Sequence, residues 1–158
     1  MKRLVKSPGF TLVELLVVIT IIGILAAAFA FTSLRGWRVQ QLQEGAGQLV
    51  ADLERARSLA QRNSQDSTVT LGSTSVSVPS GSYSVTLSGT ARTYTLPNGV
   101  RAAPSTGTTP NTATFTAPYG ELGNTTGVVW VVSSPLVSNQ LYVKLVGVTG
   151  KVILSATY

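Results

Sequence analysis

Six carboxylates, Glu14, Glu44, Asp52, Glu54, Asp66 and Glu121, are the chief acid–base candidates of this 158-residue chain, which has neither His nor Cys. Imidazole bases, thiol nucleophiles, disulfides and zinc sites built on N and S ligands are thereby excluded. Hydroxyls are plentiful, with 30 Ser or Thr among the 92 residues from Ser67 onward, but no group beside them could activate one as a nucleophile. Counted from residue 66, the same stretch holds two carboxylates, Asp66 and Glu121, far apart in sequence. One phosphate-loop resemblance, Gly147-Val148-Thr149-Gly150-Lys151, is two residues short, and Val152 stands where a Ser or Thr should hold magnesium. No catalytic residue, metal site or cofactor is expected, and the chain reads as a non-enzyme.

The formal charge of +6 suggests a nucleic-acid partner until the charges are located. Lys2, Arg3 and Lys6 precede the first apolar run, and without them the balance is +3. From Asp66 onward the basic residues are Arg92, Arg101, Lys144 and Lys151. These four are the candidate DNA contacts, the last two on a closing hairpin. Phosphate binding needs such charges clustered, whereas dispersed ones ordinarily solvate a surface.

Residues 10–31, FTLVELLVVITIIGILAAAFAF, carry one charge, Glu14. As a helix they reach roughly 33 Å, enough to cross a bilayer core. Lys2, Arg3 and Lys6 ahead of the run, against Arg35 and Arg38 after it, slightly favour a cytoplasmic N-terminus. A buried core helix is a poorer fit to this length and apolarity. A secretory signal peptide cut after Ala28-Phe29-Ala30 is an alternative that would release a soluble protein. Against it stands Glu14, since an unpaired carboxylate at mid-helix costs ~2.5 to 3.5 kcal/mol on insertion scales.

Ser7-Pro8-Gly9-Phe10-Thr11-Leu12-Val13-Glu14-Leu15-Leu16 resembles the leader and mature start of type IV pilins and type II secretion pseudopilins, whose pattern is G-F-T-L-x-E. The resemblance implies cleavage after Gly9 by a prepilin peptidase and methylation of the new amine on Phe10. It also implies that Glu14 pairs with the N-terminal amine of a neighbouring subunit during assembly. An amine and a carboxylate, each costly alone in apolar surroundings, offset one another when subunits dock.

Beyond residue 31 the pattern becomes amphipathic. Val39, Leu42, Ala46, Leu49, Leu53, Ala56 and Ala60 recur at steps of three and four, and no proline intervenes between Phe10 and Val78. One helix of some 50 residues is predicted, stopping at 63–66 where Asn, Ser and Asp compete with the helix backbone. The run from Leu49 to Asn63 is similar to the GspH/FimT subgroup of minor pseudopilins and minor pilins, with Leu49, Asp52, Leu53, Ala56, Arg57 and Ala60 on its L-x-x-D-L-x-x-A-R-x-x-A-x-x-x-N pattern and Asn63 one residue ahead of its closing N. Asp52 and Arg57 are expected chiefly to solvate or cap the helix. Many relatives kink this helix with a proline that is absent here.

From Ser67 the period changes to two. Tyr83 to Ser88, Thr93 to Leu96 and Leu141 to Leu145 alternate as strands with one face inward. Pro79-Ser80-Gly81, Pro97-Asn98-Gly99 and Thr149-Gly150 supply turns. The GVVWVV run at 127–132 is predicted to be a central strand anchored by Trp130, while 102–112 and 135–139 read as exposed loops. Thr114 to Gly120, offset by one position, and Val148 to Val152 resemble the F-x-P-x-G stretch and closing hairpin of GspH/FimT heads.

The expected fold is therefore α+β: a long N-terminal helix, apolar then amphipathic, packed on an antiparallel β-sheet head. Residues 1–9 would form the leader, 10–33 the transmembrane and fibre-core half, 34–65 the amphipathic half and 66–158 the head. Leu49, Leu53, Trp130, Val143 and Leu154 are the expected core. The resemblance implies a minor pilin or pseudopilin that sits in the bacterial inner membrane as a single pass, head outside the cytoplasm, and then enters a fibre. Its implied partners are other pilin or pseudopilin subunits, prepilin peptidase, the inner-membrane assembly platform and membrane lipid. A DNA-binding minor pilin for transformation is a second reading, and a soluble secreted domain a third.

Overall fold

The computed structural model describes residues 10–72, 79–106, 109–124 and 126–157, with the backbone alone at 30–35. Helix α1 spans Leu12–Asn63, and the chain divides into two compact units, Met1–Trp37 and Arg38–Tyr158. Within the first, the described part is helix α1 as far as Trp37 and the two residues before it. Thr11 caps the helix: its hydroxyl accepts from the Glu14 backbone N–H at 3.2 Å, while its carbonyl accepts from Leu15 N.

The second unit holds the core. Leu42, Ala46, Leu49, Leu53, Ala56 and Ala60 lie on one stripe of α1, each at most 1% exposed, whereas Gln43, Glu44 and Arg55 on other faces are exposed. The periodicity found its partner in two antiparallel sheets. Sheet A joins β1 (Ser67–Leu71), β2 (Ser82–Leu87), β3 (Thr90–Thr95), β5 (Thr112–Thr116) and β6 (Glu121–Leu122) in the order β3-β2-β1-β5-β6. Sheet B joins β4 (Arg101–Pro104), β7 (Val128–Ser134), β8 (Val137–Leu145) and β9 (Val152–Ser155) in the order β4-β7-β8-β9.

As expected, β7 is an inner strand and Trp130 is fully buried opposite Val143, its indole N–H donating to the Pro110 carbonyl at 2.9 Å. Three expectations need correction. The segment 102–112 is not an exposed loop throughout: Ala102, Ala103 and Pro104 are buried in β4. Pro104 is tolerated there because β4 is an edge strand, where a missing N–H interrupts no inner ladder. The loop at 135–139 shrinks to Pro135 and Leu136, since β8 begins at Val137. Leu154 pairs with Val143 yet is 40% exposed, because β9 is the edge of sheet B; Val152 takes the core position on that strand.

Candidate assembly site

The N-terminal segment presents an unsatisfied surface. The window Leu12–Phe29 has a mean hydropathy of 2.7 and none of it is buried within the chain. Apolar side chains cover it on every side, Leu12 at 80% and Phe29 at 73% exposure among them. A helix that is apolar all round is one that lipid or other helices must surround. Glu14 is the only carboxylate of this window, one turn into the helix and exposed. Its backbone N–H donates to the Thr11 hydroxyl, and among the described residues its carboxylate has no hydrogen bond or ion pair. Phe10 is 78% exposed at the start of the described chain; Gly9, the other half of the expected cleavage site, lies outside the described residues.

The subgroup motifs, far apart in sequence, converge in the second unit. Arg57 Nε donates to the Gly120 carbonyl at 3.2 Å and Gln61 Nε2 to the Tyr119 carbonyl at 2.7 Å. Leu122 N–H donates to the Val148 carbonyl, and Val152 N–H reaches Glu54 Oε1 at 3.4 Å. Gly120 and Gly150 both have positive φ, and a Cβ on Gly150 would lie 2.6 Å from the Gly120 carbonyl oxygen. The turn that resembles a phosphate loop is thus packed against Gly120 and Arg57, and its own backbone closes on itself through Gly150 N–H and the Val146 carbonyl.

Asp52 is likewise more than a solvated helix residue. It accepts a hydrogen bond from the Tyr83 hydroxyl, to which Gln48 Nε2 also lies within hydrogen-bonding distance, and Tyr83 stacks on Tyr94. Burial, and then the bond to Asp52, hold the Tyr83 hydroxyl protonated well above the ordinary tyrosine range. The reading of Asp52 and Arg57 as caps or solvating groups missed these ties, because helix periodicity gives no sign of which partner a polar side chain meets.

The four basic residues of the head are not gathered into one patch. Arg92 is on β3 at the edge of sheet A, and Arg101 on β4 at the edge of sheet B. Lys144 is half-buried on β8, while Lys151 is exposed just before β9. Among the described residues no group of three or more carboxylates could hold a metal ion.

Residues 6–30 match the family described as the prokaryotic N-terminal methylation motif. Two crystal structures of the type IV minor pilin FimU of Pseudomonas aeruginosa (strain PAO1) are similar in fold, both at 19% identity. The P21 form gives a TM-score of 0.58 over 75% of this chain and 90% of that one, and the P65 form 0.55 over 72% and 91%. No curated protein matches the chain. The N-terminal segment thus carries the methylation motif, and the fold is like that of the type IV minor pilin FimU.

Proposed function

We propose that the chain is a minor pilin or pseudopilin, a non-enzymatic subunit made as a membrane-anchored precursor and built into a type IV pilus or type II secretion pseudopilus. The observation that carries this reading is the Leu12–Phe29 window, unburied by its own chain and beginning within the methylation motif. In the inner membrane, lipid covers that surface, with the head outside the cytoplasm; in the fibre, like helices from other subunits replace the lipid. Prepilin peptidase cuts between Gly9 and Phe10, Phe10 is N-methylated, and Glu14 pairs with the amine of a neighbour at the assembly platform. The dispersion of Arg92, Arg101, Lys144 and Lys151 over both sheets favours a structural role for the head over a DNA-binding one.

Intact mass and N-terminal sequencing of the membrane-extracted protein test the reading. The expected product starts at Phe10 and carries one extra methyl group. A product starting at Phe31 would instead establish a secreted soluble domain, and an uncut chain would remove the pilin reading.

A further inference from the structure

Sheet A loses its cover from β1 to β3. On β1, Ser67, Val69 and Leu71 are buried on the face turned toward the core. Tyr83, opposite Leu71 on β2, is buried too, but Leu87 and Val85, the partners of Ser67 and Val69, share that face and are only half-buried. Their partners on β3 in turn, Thr90 and Arg92, are exposed. A groove of about 420 Å³ fills the gap between this overhanging hairpin and helix α1. Its apolar lining comes from Ala56, Leu59, Val85, Leu87 and the Tyr94 ring. Arg55 on the helix and Arg92 on β3 contribute to its two walls, both exposed and, among the described residues, without a hydrogen bond or ion pair. The one carboxylate in the groove, Asp52, already accepts from the Tyr83 hydroxyl.

Two exposed guanidiniums on the walls of one groove suit a carboxylate by their planar forks. Half-exposed Val85 and Leu87 require an apolar group beside that carboxylate if they are to be covered. We propose that this groove receives an acidic residue with an adjoining apolar one from the head of a neighbouring pilin-type subunit. The inference rests on the assignment of the chain as a fibre subunit, which is what holds a neighbour against the head.

The test uses the full chain in its host, scored for an N-terminus at Phe10, membrane level and content in sheared fibres. The parent protein should appear in fibres; its absence there would remove the fibre-subunit assignment itself. Given that, the Arg55→Glu, Arg92→Glu double variant should be cleaved and held in the membrane like the parent while its fibre content falls roughly tenfold or more. Unchanged fibre content would overturn the groove proposal. Because a charge reversal could weaken folding, a Thr90→Cys variant, in a chain with no native cysteine, keeps both arginines and is cross-linked within fibres. The cross-linked partner should be a pilin-type head segment containing Asp or Glu, and reversing that carboxylate to Arg should restore fibre content in the double variant. A cross-link to a segment without a carboxylate, no cross-link at all, or retention of DNA lost in the double variant with fibre content unchanged would each contradict the proposal.

Discussion

Arg57 Nε donates to the Gly120 carbonyl at 3.2 Å, joining the final turns of helix α1 to the turn between β5 and β6. Gly120 has φ +66°, and a Cβ there would lie 2.9 Å from Gln61 Cγ and 3.0 Å from Arg57 Cγ. The position demands glycine twice over, for its backbone conformation and for the closeness of the helix. Gly120→Ala is therefore expected to destabilise the second compact unit, Arg38–Tyr158, by about 2 kcal/mol, the left-handed backbone alone contributing roughly 1 to 2. Urea denaturation measures this; a loss below about 0.5 kcal/mol, the range of an ordinary surface substitution, would mean the turn moves away from the helix without strain.

Tyr83 links the helix to β2 through Asp52, and its folded-state proton affinity is raised above the ordinary value, first by burial and then by that hydrogen bond. A group whose proton is held more tightly in the fold stabilises the fold while protonated. Its contribution is complete below the unfolded tyrosine value of about 10 and declines as pH rises above it. The head should lose urea resistance as pH rises above about 10, each ~1 pH unit beyond it costing up to ~1.4 kcal/mol from this group. Tyr83→Phe should flatten that alkaline decline and lower stability at pH 7 by about 1 kcal/mol, since Asp52 loses a donor. An unchanged alkaline slope in the variant would show that Tyr83 is not the residue responsible.

Ser67 is wholly buried, and its hydroxyl has no hydrogen-bond partner among the described residues. A buried donor without an acceptor costs about 1 to 3 kcal/mol. Ser67→Ala removes the hydroxyl and leaves a Cβ of the same size, so the head should gain roughly 1 kcal/mol by the same urea measurement. A loss of stability would mean that the hydroxyl is satisfied in solution.

What the sequence disclosed, and what it withheld, follows the strength of each physical signal. The helix was legible because six core positions repeat at helical spacing and because proline is absent over its length. β7 was legible as an uninterrupted apolar run, which only an inner strand can bury. β4 was not, since Pro104 and the Ser, Thr and Gly residues after it have loop composition, and only the pairing of Ala102 with Val132 makes Ala102 and its neighbours a strand. Leu154 was misplaced for a related reason: alternation gives the face of a strand but not whether a helix covers it. Arg92 shows the same limit at the other sheet, where a period-two pattern cannot reveal that a core-facing position is open. The polar ties of Asp52 and Arg57 depend on residues 31 and 63 positions away, beyond the reach of any local pattern.

Glu14 is the residue on which the fibre reading is most exposed to experiment. Its backbone N–H, not its side chain, makes the hydrogen bond to the Thr11 hydroxyl, so Glu14→Gln retains the start of helix α1. Glutamine also serves well at the third helical position, where either residue can complete a cap with a preceding threonine. Membrane insertion should be no worse, because an amide is less costly than a carboxylate in apolar surroundings. Removal of the leader acts on the bond before Phe10 and should proceed as in the parent. What the substitution removes is a negative charge, and with it the means to neutralise the amine of an adjoining subunit as the two helices leave lipid. The expected outcome is a variant cut at Phe10, present in the membrane at parental level, and reduced roughly tenfold or more in sheared fibres. Glu14→Asp, which keeps the charge on a shorter arm, should recover part of that loss. Equal fibre content for parent and Glu14→Gln would show that the amine is neutralised by another group, whereas a variant lost from the membrane as well would place Glu14 in anchoring, not assembly.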